Sequence, residues 1–82
     1  DGQLKLEGNY NNGRKNSTWT HYDSDGYIKK TENYSNGILN GMWKSFHSKA
    51  SIKVIGEYKN NYRVGTWKWL NDNGDLIHSR QF

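Results

Sequence analysis

At 82 residues the chain has room for one domain with a modest core. It has no cysteine, which excludes disulfides and thiolate metal sites, and no proline, so nothing interrupts a sheet ladder. The formal charge is +4, with Lys29-Lys30 the longest basic pair, a scatter that reads as solvated strand faces and places nucleic acid last among partners.

Hydrophobic residues make up only 32% of the chain. Four Trp, six Tyr and two Phe nevertheless argue against disorder, because disordered chains are poor in such rings. No apolar run approaches the roughly 18 residues of a membrane span. No secretory signal is visible, and the chain begins at Asp1 rather than Met, so a signal or a larger N-terminal part is expected to have been removed, and the bacterial cytoplasm and the cell surface are both open as compartments.

Strand chemistry starts at Leu4–Tyr10, where Leu4, Leu6, Gly8 and Tyr10 alternate with Lys5, Glu7 and Asn9. Asn12-Gly13 follows, a pair that tolerates the positive φ of a type I′ hairpin turn. The next strand is expected at Ser17–Tyr22, then an Asp25-Gly26 turn, then Ile28–Tyr34. Asn36-Gly37 leads to Gly41–Phe46, Lys49-Ala50 to Ile52–Tyr58, Asn60-Asn61 to Gly65–Leu70, and Asn73-Gly74 to Leu76–Gln81. The expectation is an all-β antiparallel meander of about seven strands with no helix. With Asn12 and Gly13 as two central turn residues, Tyr10 faces Lys15, Gly8 faces Ser17 and Leu6 faces Trp19. With Asp25-Gly26 as the next such turn, Trp19 faces Glu32. Directly opposed residues share a face. One face should then carry the Trp, Tyr and aliphatic columns, with Gly8 and Gly56 leaving room for rings. The other should carry Lys, Glu, Thr and Asn with Tyr22, Phe46 and Leu70.

The elements recur with a step of 24 residues. Tyr10, Tyr34 and Tyr58 form one column, Trp19, Trp43 and Trp67 another, and Ile28, Ile52 and Leu76 a third. These nine residues are the expected repeat core. Trp43 sits in the middle copy with neighbours on both sides, and Trp43→Ala is expected to cost about 3–5 kcal/mol, as for a buried aromatic. The units run 5–28, 29–52 and 53–76, with partial copies at 1–4 and 77–82, so residues 1–82 read as a single array that starts and stops inside a unit and as a fragment of a longer array. Gly41 and Gly65 match, with Ser17 in the first copy.

The second unit shows the pattern best, with Tyr34-Ser35-Asn36-Gly37, then Gly41-Met42-Trp43, then Phe46 and Ile52. It resembles the bacterial variant of the MORN repeat, as in YwqK-family antitoxins. Ser17, Asn61 and Ala50 depart from that pattern. The resemblance covers essentially the whole chain and implies a β-hairpin array without catalytic residues that binds protein, either neutralising a toxin or serving as part of a larger surface protein.

The residues themselves supply no catalytic, cofactor or metal constellation. His21, His47 and His78 occupy three different columns and read as solvated. Asp23 with Asp25, and Asp72 with Asp75, sit at turns, where carboxylates cap the backbone. Trp69 replaces His21 and Ser45 in its column, so the repeat does not require it. Trp69, with Tyr22, Phe46 and Leu70, is therefore the candidate partner-binding set. A protein partner is the leading expectation. Glycan or cell-wall polymer along the aromatic columns is the alternative, and self-association through sheet edges is a third route.

Overall fold

The computed structural model describes residues 5–47 and 51–82. They form one antiparallel sheet, without a helix among them. The strands are β1 (Lys5–Asn11), β2 (Arg14–Tyr22), β3 (Ile28–Ser35), β4 (Ile38–Leu39), β5 (Gly41–Phe46), β6 (Ile52–Lys59), β7 (Tyr62–Leu70) and β8 (Leu76–Gln81). Their order is β1-β2-β3-β5-β6-β7-β8, with β4 beside β3. The meander is as expected, but the strand count is eight, because the chain kinks at Asn40 and separates β4 from β5. β2 and β7 start earlier than Ser17 and Gly65, at the hairpin turns themselves. Leu4 and Lys49-Ala50 lie outside the described residues.

The Asn turns form as their sequence requires. Asn12 and Gly13, Asn36 and Gly37, and Asn60 and Asn61 all have positive φ, the signature of type I′. Successive turns are tied together: Gly37 N–H donates to the Lys15 carbonyl at 2.8 Å, and Asn61 N–H to the Leu39 carbonyl at 2.9 Å. Asn61 also returns a side-chain bond, accepting from Leu39 N–H at 2.9 Å. That bond is what this departure from Asn-Gly gains.

Tyr10 faces Lys15, as expected, but the register beyond that pair needs correction. Past the first turn Asn9 pairs with Asn16 and Glu7 with Thr20, so Ser17, Thr18 and Trp19 all face Gly8 alone, and Leu6 faces His21 rather than Trp19. The same excess recurs between Glu57–Val64 and Ile55–Lys68. The residue that absorbs it is Ser17, Gly41 or Gly65, at φ 64, 115 and 71. An excess of two residues preserves the facing of side chains, so Trp19 stays with Tyr10, as expected. The Asp25-Gly26 turn is also longer than two residues. Asp23 N–H donates to Tyr27 O, and the Asp23 carboxylate accepts from the N–H groups of Asp25 and Tyr27, which closes a loop of Ser24, Asp25 and Gly26. Asn71 caps the third copy in the same way. A bulge then shifts register by one, so that Tyr22 faces Ile28, Phe46 faces Ile52 and Leu70 faces Leu76. A one-residue shift exchanges faces. Ile28, Ile52 and Leu76 therefore lie with Tyr22, Phe46 and Leu70, not with the Trp column. Beyond the bulge Trp19 faces Glu32, as expected.

The sheet is a single layer, with extents of 40 × 38 × 12 Å. Its largest buried side chains are Trp19 and Trp67, at 4% and 2% exposure, and they seat on Gly8 and Gly56, where any Cβ would overlap the indole. The indole N–H groups donate to the carbonyls of Asn9 and Glu57 at 3.1 and 3.2 Å.

Candidate functional site

The middle unit departs from its neighbours on the Trp face. The column that gives Gly8 and Gly56 holds Glu32 in the second copy. A side chain there denies Trp43 the flat seat that Trp19 and Trp67 occupy, and Trp43 is half-buried instead. Its N–H donates to Glu32 Oε2 at 3.0 Å, while Glu32 Oε1 meets His21 Nε2 at 3.0 Å and accepts from the Tyr34 hydroxyl at 3.3 Å. Lys30 Nζ stands 3.8 Å from Oε2. Glu32 is buried, with residue exposure of 8%. Burial opposes its ionisation, but the Trp43 hydrogen bond, the Lys30 charge and His21 more than offset that, and the carboxyl is held below its ordinary value. The Tyr34 hydroxyl is pushed up, by its own burial first and then by the Glu32 charge.

Rings and cations fill the rest of this face. Tyr10 meets Trp19 edge-on with centroids 5.0 Å apart, and Tyr58 meets Trp67 in the same way at 5.2 Å. Lys15 lies over Trp19 and Tyr34, and Arg63 over Trp67 and Phe82. Trp69 is half-buried, two residues from Trp67, with its ring 5.0 Å from that of His78.

Tyr22, Phe46 and Leu70 are on the opposite face. Paired with Ile28, Ile52 and Leu76, they make an apolar row that crosses the sheet. Tyr22 donates its hydroxyl to Glu7 at 3.1 Å, and that bond, more than burial, pushes its pKa up. Beside the row, Met42, Ile55, Val64 and Lys68 border a shallow depression of about 210 Å³. The candidate set is therefore divided, with Trp69 on one face and Tyr22, Phe46 and Leu70 on the other.

Of the nine core candidates, Trp19 and Trp67 are buried, and Ile28, Tyr34, Trp43, Ile52 and Tyr58 are half-buried. Tyr10 and Leu76 are 65% and 56% exposed, because each lies on an outer strand with a neighbour on one side only. Two histidines are engaged rather than solvated. His21 meets Glu32, and His47 meets the Leu70 carbonyl at 2.9 Å and Asp72 at 3.0 Å. Glu32 was missed by the sequence reading, although its place in the Gly8–Gly56 column is the signal that points to it. Among the described residues no cluster of His, Cys, Asp or Glu has the arrangement of a metal site, and no helix is long and apolar enough to cross a membrane.

The fold defines the class as a single-layer antiparallel repeat sheet. No family model matches the chain, and no curated protein matches it. Among solved structures, it is similar to the crystal structure of accessory secretory protein 1, 2 and 3 in Streptococcus pneumoniae, with a TM-score of 0.57 at 13% identity. The match covers 100% of this chain and 17% of that one, so this chain corresponds to a small part of the neighbour, and the likeness is one of fold.

Proposed function

We propose that the chain is a non-catalytic, MORN-like repeat module that binds another protein. The observation that carries this reading is the 12 Å thickness of the sheet. A sheet face bearing an apolar ladder is ordinarily covered by a second layer. Here the row of Tyr22, Ile28, Phe46, Ile52, Leu70 and Leu76 on one face and the ring columns on the other have no covering layer among the described residues. The partner class implied by the repeat resemblance is a toxin held inactive, or a surface protein of which the array is a part. A glycan site asks for rings lying flat and open. Trp19 and Trp67 lie on their glycines but are not open: both are buried, Tyr10 and Tyr58 cross them nearly at right angles, and Lys15 and Arg63 cover them, which favours the protein reading.

The test is calorimetry of the chain against the proteins encoded beside its gene, and against cell-wall polysaccharide. The expected result is a stoichiometric protein complex, weakened by Trp69→Ala or Phe46→Ala in variants whose melting temperature shows them folded. Binding of polysaccharide with no protein bound at micromolar concentration would overturn the reading.

A further inference from the structure

Each Trp of the repeat stands beside a ring of the next Tyr column, and among the described residues no cation lies over the middle pair. In the first unit Lys15 Nζ stands 4.9 Å from the Trp19 centroid and 5.0 Å from that of Tyr34. In the third, the Arg63 guanidinium stands 5.1 Å from Trp67 and 5.4 Å from Phe82. Halfway between Lys15 and Arg63 in the repeat is Leu39, and the corresponding rings are Trp43 and Tyr58. Leu39 supplies an aliphatic stem without a charged head. Among the described residues no cation lies over either ring, and Lys30 is drawn to Glu32.

The spacing and angle of the ring pair are kept. Trp43 and Tyr58 have centroids 6.5 Å apart at 69°, against 6.2 Å and 75° for Trp67 and Phe82 with Arg63 in place. The ring itself is also better suited to a cation. Trp19 and Trp67 donate their N–H groups to neutral carbonyls, whereas Trp43 donates to the Glu32 carboxylate. An indole polarised by an anion at its N–H carries more electron density on its faces, which is the property a cation reads. Trp43 is also less buried than its two counterparts.

We propose that the slot between Trp43 and Tyr58 receives an arginine side chain from the protein partner, supplying in trans the cation that Lys15 and Arg63 supply in cis. This rests on the protein-binding reading and adds the chemistry by which the partner is recognised. Glu32 is the positioning residue: it lifts Trp43 from the seat its counterparts occupy and orients the ring through its N–H.

The test is a nuclear magnetic resonance titration of the whole, unaltered chain, following the indole N–H signals. The probe is the peptide acetyl-Gly-Arg-Gly-amide, with acetyl-Gly-norleucine-Gly-amide as the uncharged counterpart. The Trp43 signal, assigned with Trp43→Phe, is expected to move with the arginine peptide and to respond at least about fivefold more weakly to norleucine. Leu39→Arg, which fills the slot from within, is expected to suppress the response and to raise the melting temperature. Equal responses to the two peptides, movement of Trp19, Trp67 or Trp69 while Trp43 stays still, or an undiminished response in a folded Leu39→Arg chain would each overturn the proposal. If Leu39→Arg fails to fold, the peptide comparison on the unaltered chain decides alone. Capture of a protein partner at full affinity by folded Leu39→Arg would sink the slot while leaving the protein-binding reading intact.

Discussion

Glycine and tryptophan act here as a pair. The indoles of Trp19 and Trp67 occupy the space where Gly8 and Gly56 would carry a Cβ, so the ring is buried in a molecule that has only one layer. Trp67→Ala should therefore cost about 3–5 kcal/mol, as for a buried aromatic. Trp43→Ala should cost measurably less, below the range expected of it as a buried aromatic, because Glu32 replaces the glycine beneath it. Denaturant melts of the two variants give the comparison, and equal losses would mean that the glycine seat is not what stabilises the ring. Glu32 itself sets a pH dependence. Its folded pKa is depressed, so its contribution is fully present above the unfolded value of about 4.3 and is lost as pH falls through the lower folded value. Glu32→Gln should flatten the stability profile in that acid window, read by thermal melts between about pH 2 and 6. A profile unchanged by the substitution would count against the network around Glu32.

At the scale of the elements, the bulge after each Asn turn is the recurring device. Gly41 and Gly65 meet its positive φ freely, whereas Ser17 meets it at φ 64 with a side chain. Left-handed backbone costs an L-residue roughly 1–2 kcal/mol, part of which glycine gives back in chain entropy. Ser17→Gly should stabilise the chain by about 0.5–1 kcal/mol, seen as a rise of a few degrees in melting temperature. The outer strand permits a second test. Phe82 N–H donates inward to Gly65 O, so by alternation the N–H of Ser79 points outward from the sheet. Ser79→Pro should leave the ladder to β7 largely intact and weaken any strand that adds at that edge, as monitored by sedimentation over a concentration series. Thr31 faces Thr20 on one side and Lys44 on the other, and Thr31→Pro should unfold the chain. A melting temperature that falls equally in both variants would remove the distinction between edge and centre.

For the whole molecule, the parts legible in the sequence are those fixed by residue type alone. The 24-residue step, the Asn turns and the glycine seats all follow from column identity, and the meander follows from them. The bulges do not, because they depend on how many backbone residues oppose one partner, and no side chain announces that number. They moved Leu6 from Trp19 to His21 and carried Ile28, Ile52 and Leu76 to the opposite face. Glu32 escaped notice for a different reason: within a single chain, one substitution in a column looks like drift until its hydrogen bonds are seen.

The single layer also determines how the chain yields to tension. Each strand is held only by its immediate neighbours, and β1 and β8 lie at opposite margins. A load applied across the chain ends therefore peels hydrogen bonds one after another instead of shearing many together. Drawn between optical traps, the sheet should come apart like a zip at low force. It should do so in successive releases of about one 24-residue unit, with no single large rupture.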